Sequence, residues 1–393
     1  MRLFFIISLF ICVFSRLMAE STTEKNKRKN VEKSQKNKQI TKNIKNKLSF
    51  KFNDVKNHLV LIEHSKGVGS GFIANDEDGN TYVYTNQHVV MACKKLKMKT
   101  IDGERLTPIG FDAALKRDII RFKLKKNEPA LKFNKNPAIG NPVAVFGNSA
   151  GGGVATEIYG KVTGVGPDKI EVSARFVCGN SGSPVLDKDK NVIGVATYVT
   201  RALDKNANWE KDGTRFAEPR YFAYSVNDSI KWKKIKWKKY IEMGNLILKD
   251  KAFIKTLGEM ARAWAVKPYS EIDETVYKHL TLRSWAKSHN KLSNKHFRQL
   301  EKGSVRSANK LNRINDSIRN AVKKDYTMLA NICNRESKKI SMQIQRKKKY
   351  LTGFLIKKME ENKGYLDFLS KCIEKHCQKV AAGNAFYLKE TQY

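Results

Sequence analysis

The chain has 393 residues, and 76 Lys and Arg against 38 Asp and Glu give it a net charge of +38. A balance this basic suits anionic partners such as lipid, cell-wall polymer or nucleic acid. Of the 6 cysteines one lies in the leader, and the odd number left excludes complete internal pairing.

Met1-Arg-Leu-Phe-Phe-Ile-Ile-Ser-Leu-Phe-Ile-Cys-Val-Phe14 is one charge followed by an apolar run too short to span a bilayer comfortably. It reads as a signal peptide over residues 1–19, cut after Ala19, which makes the protein secreted or periplasmic. Leu17 is large for the third position before a cut, so a retained membrane anchor is the alternative. Cys12 lacks the small residue before it that lipidation needs. Residues 20–47 are mostly Lys, Asn, Ser, Thr and Gln, with almost nothing to bury, and read as a basic disordered linker.

Turn residues crowd the first part of the chain: 18 of the 24 glycines and all prolines but Pro268 precede residue 230. Such punctuation belongs to a β-rich domain. Asp76-Glu-Asp-Gly-Asn80 and Asp187-Lys-Asp-Lys-Asn191 each separate apolar runs and read as hairpin turns. The alternating run Thr81-Tyr-Val-Tyr-Thr-Asn-Gln-His88 reads as a strand ending in a histidine, and Asp118-Ile-Ile-Arg-Phe-Lys-Leu124 as a strand opened by a carboxylate. Taken alone, each is an ordinary strand-end residue.

Cys178-Gly-Asn-Ser-Gly-Ser-Pro184 is where the chain concentrates chemistry. A serine between two glycines implies a turn so sharp that Cβ atoms would obstruct it, with backbone N–H groups converging beside the hydroxyl. A serine becomes a nucleophile only when a base takes its proton and a carboxylate orients that base, and His88, Asp118 and Ser181 supply the three parts. Gly147-Asn-Ser149-Ala-Gly151 also has the Gly-x-Ser-x-Gly form. An esterase elbow must open a helix, however, and the residues after Ser149 are β formers with glycine inside.

Five motifs in register carry a resemblance. Gly69-Ser-Gly-Phe-Ile73, Thr85-Asn-Gln-His-Val-Val90, Asp118-Ile-Ile-Arg-Phe122, Val145-Phe-Gly-Asn-Ser149 and Gly179-Asn-Ser-Gly-Ser-Pro-Val185 resemble the trypsin-like serine endopeptidases of the bacterial HtrA and glutamyl endopeptidase branches. The resemblance runs from about Leu48 to Lys234. It implies an all-β pair of six-stranded barrels with His88, Asp118 and Ser181 in the cleft and the amides of Gly179 and Ser181 as the oxyanion hole. Asp112 competes with Asp118, but the residues after Asp118 continue in the family's pattern. Asn180 stands where digestive relatives have an aspartate that pairs with a new N-terminus, and an amide cannot make that ion pair.

For substrate, the resemblance implies polypeptide, with the strand from Val195 through Ala196, Thr197 and Tyr198 as backbone partner of an extended chain. Ala196 replaces the histidine that helps glutamyl enzymes bind an acidic side chain, which argues against glutamate preference. Arg175, six residues before Ser181, falls at the base of the specificity pocket, where a buried cation would select acidic residues; the plainer reading points it to solvent. No metal and no cofactor is implied.

Beyond residue 239 glycine and proline thin out. Leu351, Phe354, Leu355 and Met359, then Leu369, Cys372, Ile373 and Cys377, recur at helical spacing. Residues 48–239 are therefore read as the trypsin-like domain and 240–393 as a mostly α-helical basic domain, with Asn227, Asp228 and Ser229 as candidate caps for its first helix. Residues 231–393 hold 38 Lys and Arg against 15 Asp and Glu, densest in Lys231-Trp-Lys-Lys-Ile-Lys-Trp-Lys-Lys-Tyr240 and Arg346-Lys-Lys-Lys-Tyr350. Such runs suit contact with an anionic surface, or simply solvate a helix face. Cys93 and Cys178 are expected as buried thiols, and Cys333 is in position to bridge to Cys372 or Cys377 across antiparallel helices. The expected function is an exported serine endopeptidase. The alternatives are a catalytically silent peptide-binding barrel, or a polyanion-binding helical protein with the barrel as accessory.

Overall fold

The computed structural model describes residues 39, 41–64, 67–125, 130–200, 219–266 and 308–381. The leader, most of the basic segment behind it, and Pro268 lie outside them. The chain divides into two units, the first made of Met1–Val90, Lys95–Asp112 and Arg117–Ile230, the second of Met91–Lys94, Ala113–Lys116 and Lys231–Tyr393. The helical unit thus starts at Lys231, ahead of the expected residue 240, and takes in two short stretches from the first half of the chain.

In the first unit, runs of β-branched and aromatic residues become strands because such side chains fill a pleated surface well. The strands are β1 (Leu59–His64), β2 (Gly67–Asn75) and β3 (Thr81–Thr85). Val60, Ile62, Phe72, Ile73, Val83 and Tyr84 on them are buried. A short helix α1 (Gln87–Val90) comes next, then β4 (Leu96–Thr100), β5 (Arg105–Leu106), β6 (Gly110–Ala114) and β7 (Ile120–Lys123). Their order across the sheet is β6-β7-β3-β2-β1-β4-β5. The expectation of two six-stranded barrels is corrected here, because this sheet stays open. β5, of 2 residues, is one edge of this sheet, and no ladder among the described residues joins it to the other side.

The next six strands do close. β8 (Pro142–Gly147), β9 (Thr156–Val165), β10 (Lys169–Val172), β11 (Pro184–Leu186), β12 (Val192–Thr200) and β13 (Arg220–Ser225) form a barrel in the order β10-β13-β12-β11-β8-β9. Val143, Val145, Val162, Ile170, Val172, Phe176, Val185 and Ile193 pack inside it. Both predicted turns form: Asp76 N donates to Asn80 O and Asp187 N to Asn191 O, each at 2.9 Å.

Residues 41–47, read as the end of a disordered linker, are folded in this unit. Ile44 is buried, and Lys45 Nζ lies 2.7 Å from Glu157, so a single apolar residue and an ion pair anchor a segment whose composition is otherwise that of a tether. Nearby, burial pushes the His58 imidazole below its ordinary 6.5. The fold keeps it neutral, while the unfolded chain gains a proton as pH falls past about 6.5. Its stabilising contribution is therefore complete above that pH and lost on acidification through the folded value. We expect the urea midpoint to fall between pH 7 and 5 less steeply in His58→Gln than in the intact chain; equal slopes would contradict the assignment.

The second unit holds a short strand β14 (Trp232–Lys233) paired with Ala113 and Ala114. It also holds three long helices, α2 (Trp237–Val266), α3 (Ala308–Lys347) and α4 (Gly353–Ala381). The expected helical stripe on α4 is buried at Phe354, Leu355, Met359, Leu369 and Ile373, against Tyr326, Leu329, Cys333 and Ile340 of α3 and Tyr240, Ile247 and Leu257 of α2. Asn227 and Ser229 do not cap the first helix, which begins only at Trp237. No helix among the described residues is long and apolar enough to cross a membrane.

The five described cysteines are free, and Cys178 is exposed rather than buried. The Cys333 bridge does not form. Cys377 lies against Thr327, with Sγ 3.9 Å from Oγ1, more than a helical turn from Cys333. Burial pushes the Cys333 thiol up to about 12.

Candidate active site

β3 stops at Thr85 and His88 stands in the one-turn helix α1, not at a strand end as the alternation suggested. The reason lies in the two fully buried amides before it, Asn86 and Gln87, which turn the chain inward to satisfy backbone carbonyls. Asn86 Nδ2 donates to Asp118 O at 2.8 Å and to Thr197 Oγ1 at 3.1 Å. Gln87 Nε2 donates to Arg117 O at 2.6 Å.

These bonds bring the Asp118 carboxylate, 5% exposed, onto His88. Oδ1 accepts from the His88 backbone N–H at 3.0 Å, and Oδ2 lies 2.6 Å from Nδ1. A carboxylate can only accept, so Nδ1 carries the proton and Nε2 keeps its lone pair. Asp112 is engaged elsewhere, by Arg121 Nε at 3.2 Å. The structure thus pairs His88 with Asp118. Tyr224 is pushed up to about 12, first by burial and then by the charge of Asp118, so it stays a neutral phenol.

Ser181 lies on a loop that needs its glycines. Gly179 and Gly182 have φ of +93° and +90°, and a Cβ on either would stand 2.0 Å from a backbone oxygen, Asn148 O and Ser70 O respectively. The carbonyl of Cys178 accepts from Ala150 N at 2.7 Å. Because the peptide is planar and trans, the Gly179 N–H must point the opposite way. Neither that N–H nor the Ser181 N–H donates to a group among the described residues. The Ser181 hydroxyl donates to Thr197 O at 3.5 Å, so a chain of hydrogen bonds runs from Ser181 through Thr197 and Asn86 to Asp118 and His88.

Ser70, in the Gly-Ser-Gly of β2, is the loop's clasp. Its N–H donates to Ser181 O at 2.9 Å, its hydroxyl donates to Gly179 O at 2.8 Å and accepts from Asn148 N at 2.9 Å, and it is 1% exposed. Ser70→Ala leaves the buried Asn148 N–H and the partly buried Gly179 carbonyl without this partner, which costs about 1–3 kcal/mol. Chemical denaturation measures that loss, and an unchanged midpoint would contradict it. Asn180 closes the turn in place of an ion pair: its side-chain oxygen accepts from Val177 N and from Ser149 Oγ, each at 3.0 Å. That bond also occupies Ser149, which sits in a short 3-10 turn, Ser149–Gly151, and opens no α-helix as an esterase elbow must.

On the substrate side, β12 pairs with β11 only as far as Val195, and Ala196 closes onto the loop by accepting from Gly182 N and donating to Ser183 O, both 2.9 Å. Past Thr197 the opposite edge stays paired with β13, Tyr198 against Phe222 and Val199 against Tyr221. The edge nearer Ser181 pairs with no strand among the described residues. Tyr198 stacks on Phe222 with ring centroids 5.1 Å apart. The buried pocket cation expected at Arg175 is not found. Arg175 is exposed, and the neighbour that turns inward is Phe176, 3% exposed and edge-on to Tyr221.

Residues 69–195 match the family model of a trypsin-like peptidase domain. This stretch is a trypsin-like peptidase domain. A Chlamydia muridarum protein named as a DegP-like periplasmic serine endoprotease is 33% identical over 175 residues, covering 41% of this chain and 33% of its own. Human serine protease HTRA4 is 29% identical over 200 residues, 46% of this chain and 39% of its own. The chain thus spans about a third of the length of the curated relatives it matches. Among solved structures, the serine endoprotease from Yersinia pestis aligns at 20% identity and a TM-score of 0.35, covering 44% of this chain and 60% of that one.

Sequence reasoning missed Ser70, Asn86, Gln87 and Arg117 as supports of the residues gathered here. Their signal was present: each is a polar residue inside or beside an apolar run, and each is buried.

Proposed function

We propose that the protein is an exported serine endopeptidase acting on polypeptide, with residues 48–230 as its catalytic domain. The observation that carries the reading is the Asp118 carboxylate on His88 Nδ1, which holds the imidazole in the basic tautomer, together with the Cys178 carbonyl turned onto Ala150, which leaves the Gly179 N–H pointing the opposite way and free to donate. An extended peptide adds to the edge of β12 at Thr197 and Tyr198. Ser181 Oγ attacks the scissile carbonyl as His88 Nε2 takes its proton, and the oxyanion is held by the amides of Gly179 and Ser181. His88 then returns the proton to the leaving amine, and water repeats the steps to free the acyl group. Export is supported by the leader and by relatives named as periplasmic. Mass-spectrometric profiling of a peptide library tests the whole reading: cleavage by the intact chain and none by Ser181→Ala is expected, and an intact chain that binds peptides without cutting any would overturn it.

A second role belongs to the helical unit, where two basic runs 115 residues apart meet. Lys233 Nζ donates to Lys348 O at 3.3 Å and to Leu351 O at 2.9 Å, and Lys239 Nζ lies 5.7 Å from the Tyr350 ring centroid. The runs at 231–239 and 346–349 therefore lie together, and we propose that their combined positive charge suits an anionic surface or polymer. Co-sedimentation of the full chain with anionic vesicles should weaken steeply as salt rises, and binding indifferent to salt would remove this role.

A further inference from the structure

Arg117 takes no part in the catalytic steps, yet it is 4% exposed and adjoins Asp118. Its guanidinium is fully engaged. Nε and Nη2 donate to Asp168 Oδ1 at 3.3 and 2.8 Å. Nη1 donates to Ser225 O and Asn227 Oδ1, each at 2.7 Å, and Nη2 also reaches Ser229 Oγ at 2.5 Å and Pro167 O at 3.4 Å. Pro167 and Asp168 form the turn between β9 and β10, and Ser225, Asn227 and Ser229 lie at the end of β13 and just beyond it. Every partner therefore belongs to the closed barrel or the turn leaving it, whereas Arg117 precedes β7 of the open sheet. The residues that looked like helix caps are spent here instead.

A buried cation is costly unless its donors are met, and an apolar side chain would fill the same space without that cost. What a planar fork of five donors adds is a fixed direction toward several acceptors at once. The backbone beside it is equally constrained, since Arg117 O and Asp118 O accept from Gln87 and Asn86, the two residues ahead of His88. We propose that Arg117 is a positioning residue, fixing the Asp118–His88 pair of the open sheet against the barrel that carries Ser181. The proposal rests on the peptidase reading.

The test compares the intact chain with Arg117→Lys, and with Asp168→Asn and Asn227→Ala, which remove partners outside the core. The readouts are the second-order rate of labelling by a fluorophosphonate, which needs His88 to activate Ser181, and separate kcat and KM for a peptide drawn from the library. Misplacing catalytic groups by about an ångström costs on the order of a hundredfold. We expect a loss of about that size in labelling rate and kcat for Arg117→Lys, smaller losses for the two partner variants, and KM within about twofold throughout. Should Arg117→Lys fail to fold, the partner variants carry the test by themselves. Lowered melting temperatures with unchanged labelling rates would make Arg117 a stabiliser only and overturn the proposal, leaving the peptidase reading intact. An intact chain that takes no label brings down that reading and this proposal together.

Discussion

If Ser181 is the nucleophile as proposed, replacing it by alanine should lower kcat by about a millionfold, because a nucleophile, its base and the orienting carboxylate act as one unit. The loop should survive the change. Its shape depends on Gly179 and Gly182, both at positive φ, and on the Ser70 clasp, while among the described residues the Ser181 hydroxyl makes one long hydrogen bond, 3.5 Å to Thr197 O. Steady-state assay beside a thermal melt separates the outcomes. Loss of turnover at an unchanged melting temperature is the expected pattern. Residual turnover above about a thousandth of the intact rate would mean that another group attacks.

Asp118→Asn should cost about ten-thousandfold in kcat with the geometry preserved. The amide can still accept from the His88 backbone N–H, now met by Asp118 Oδ1 at 3.0 Å. Its NH2 then faces Nδ1 as a donor, so the imidazole shifts its proton to Nε2 and can no longer take one from Ser181. The test is kinetic: kcat should collapse while KM stays near its original value, since the carboxylate is buried against His88. Asp112→Asn makes the comparison sharp. That carboxylate is bonded to Arg121, and losing it should leave turnover within about an order of magnitude. The reverse ranking would assign the orienting role to Asp112.

The chemistry was legible where residue type and backbone requirement coincide. Ser181 between two glycines announces a loop that only glycine can make, and the structure puts both glycines at positive φ with no room for a Cβ. The turn at 76–80 and the strand at Asp118 come from the same local rules. Three things were not legible. Asn86 and Gln87 look like polar positions in an alternating strand, and only the distant carbonyls of Arg117 and Asp118 turn them inward and end β3 early. Asn227 and Ser229 carry cap chemistry, but the guanidinium that claims them comes from about 110 residues earlier in the chain. The first sheet stays open where the second closes, and closure rests on strand tilt and register, which composition does not encode. At Arg175 the plainer of the two readings holds, the side chain being exposed, because a position counted from Ser181 fixes where the backbone lies while Phe176, the more apolar neighbour, takes the interior.

Intact-mass spectrometry after exposure to a fluorophosphonate decides whether Ser181 is a nucleophile activated by His88. One adduct per chain is expected, mapped to Ser181 and lost in His88→Ala. An adduct mapped to Ser149 or any other hydroxyl, or label retained in His88→Ala at the intact rate, would contradict it.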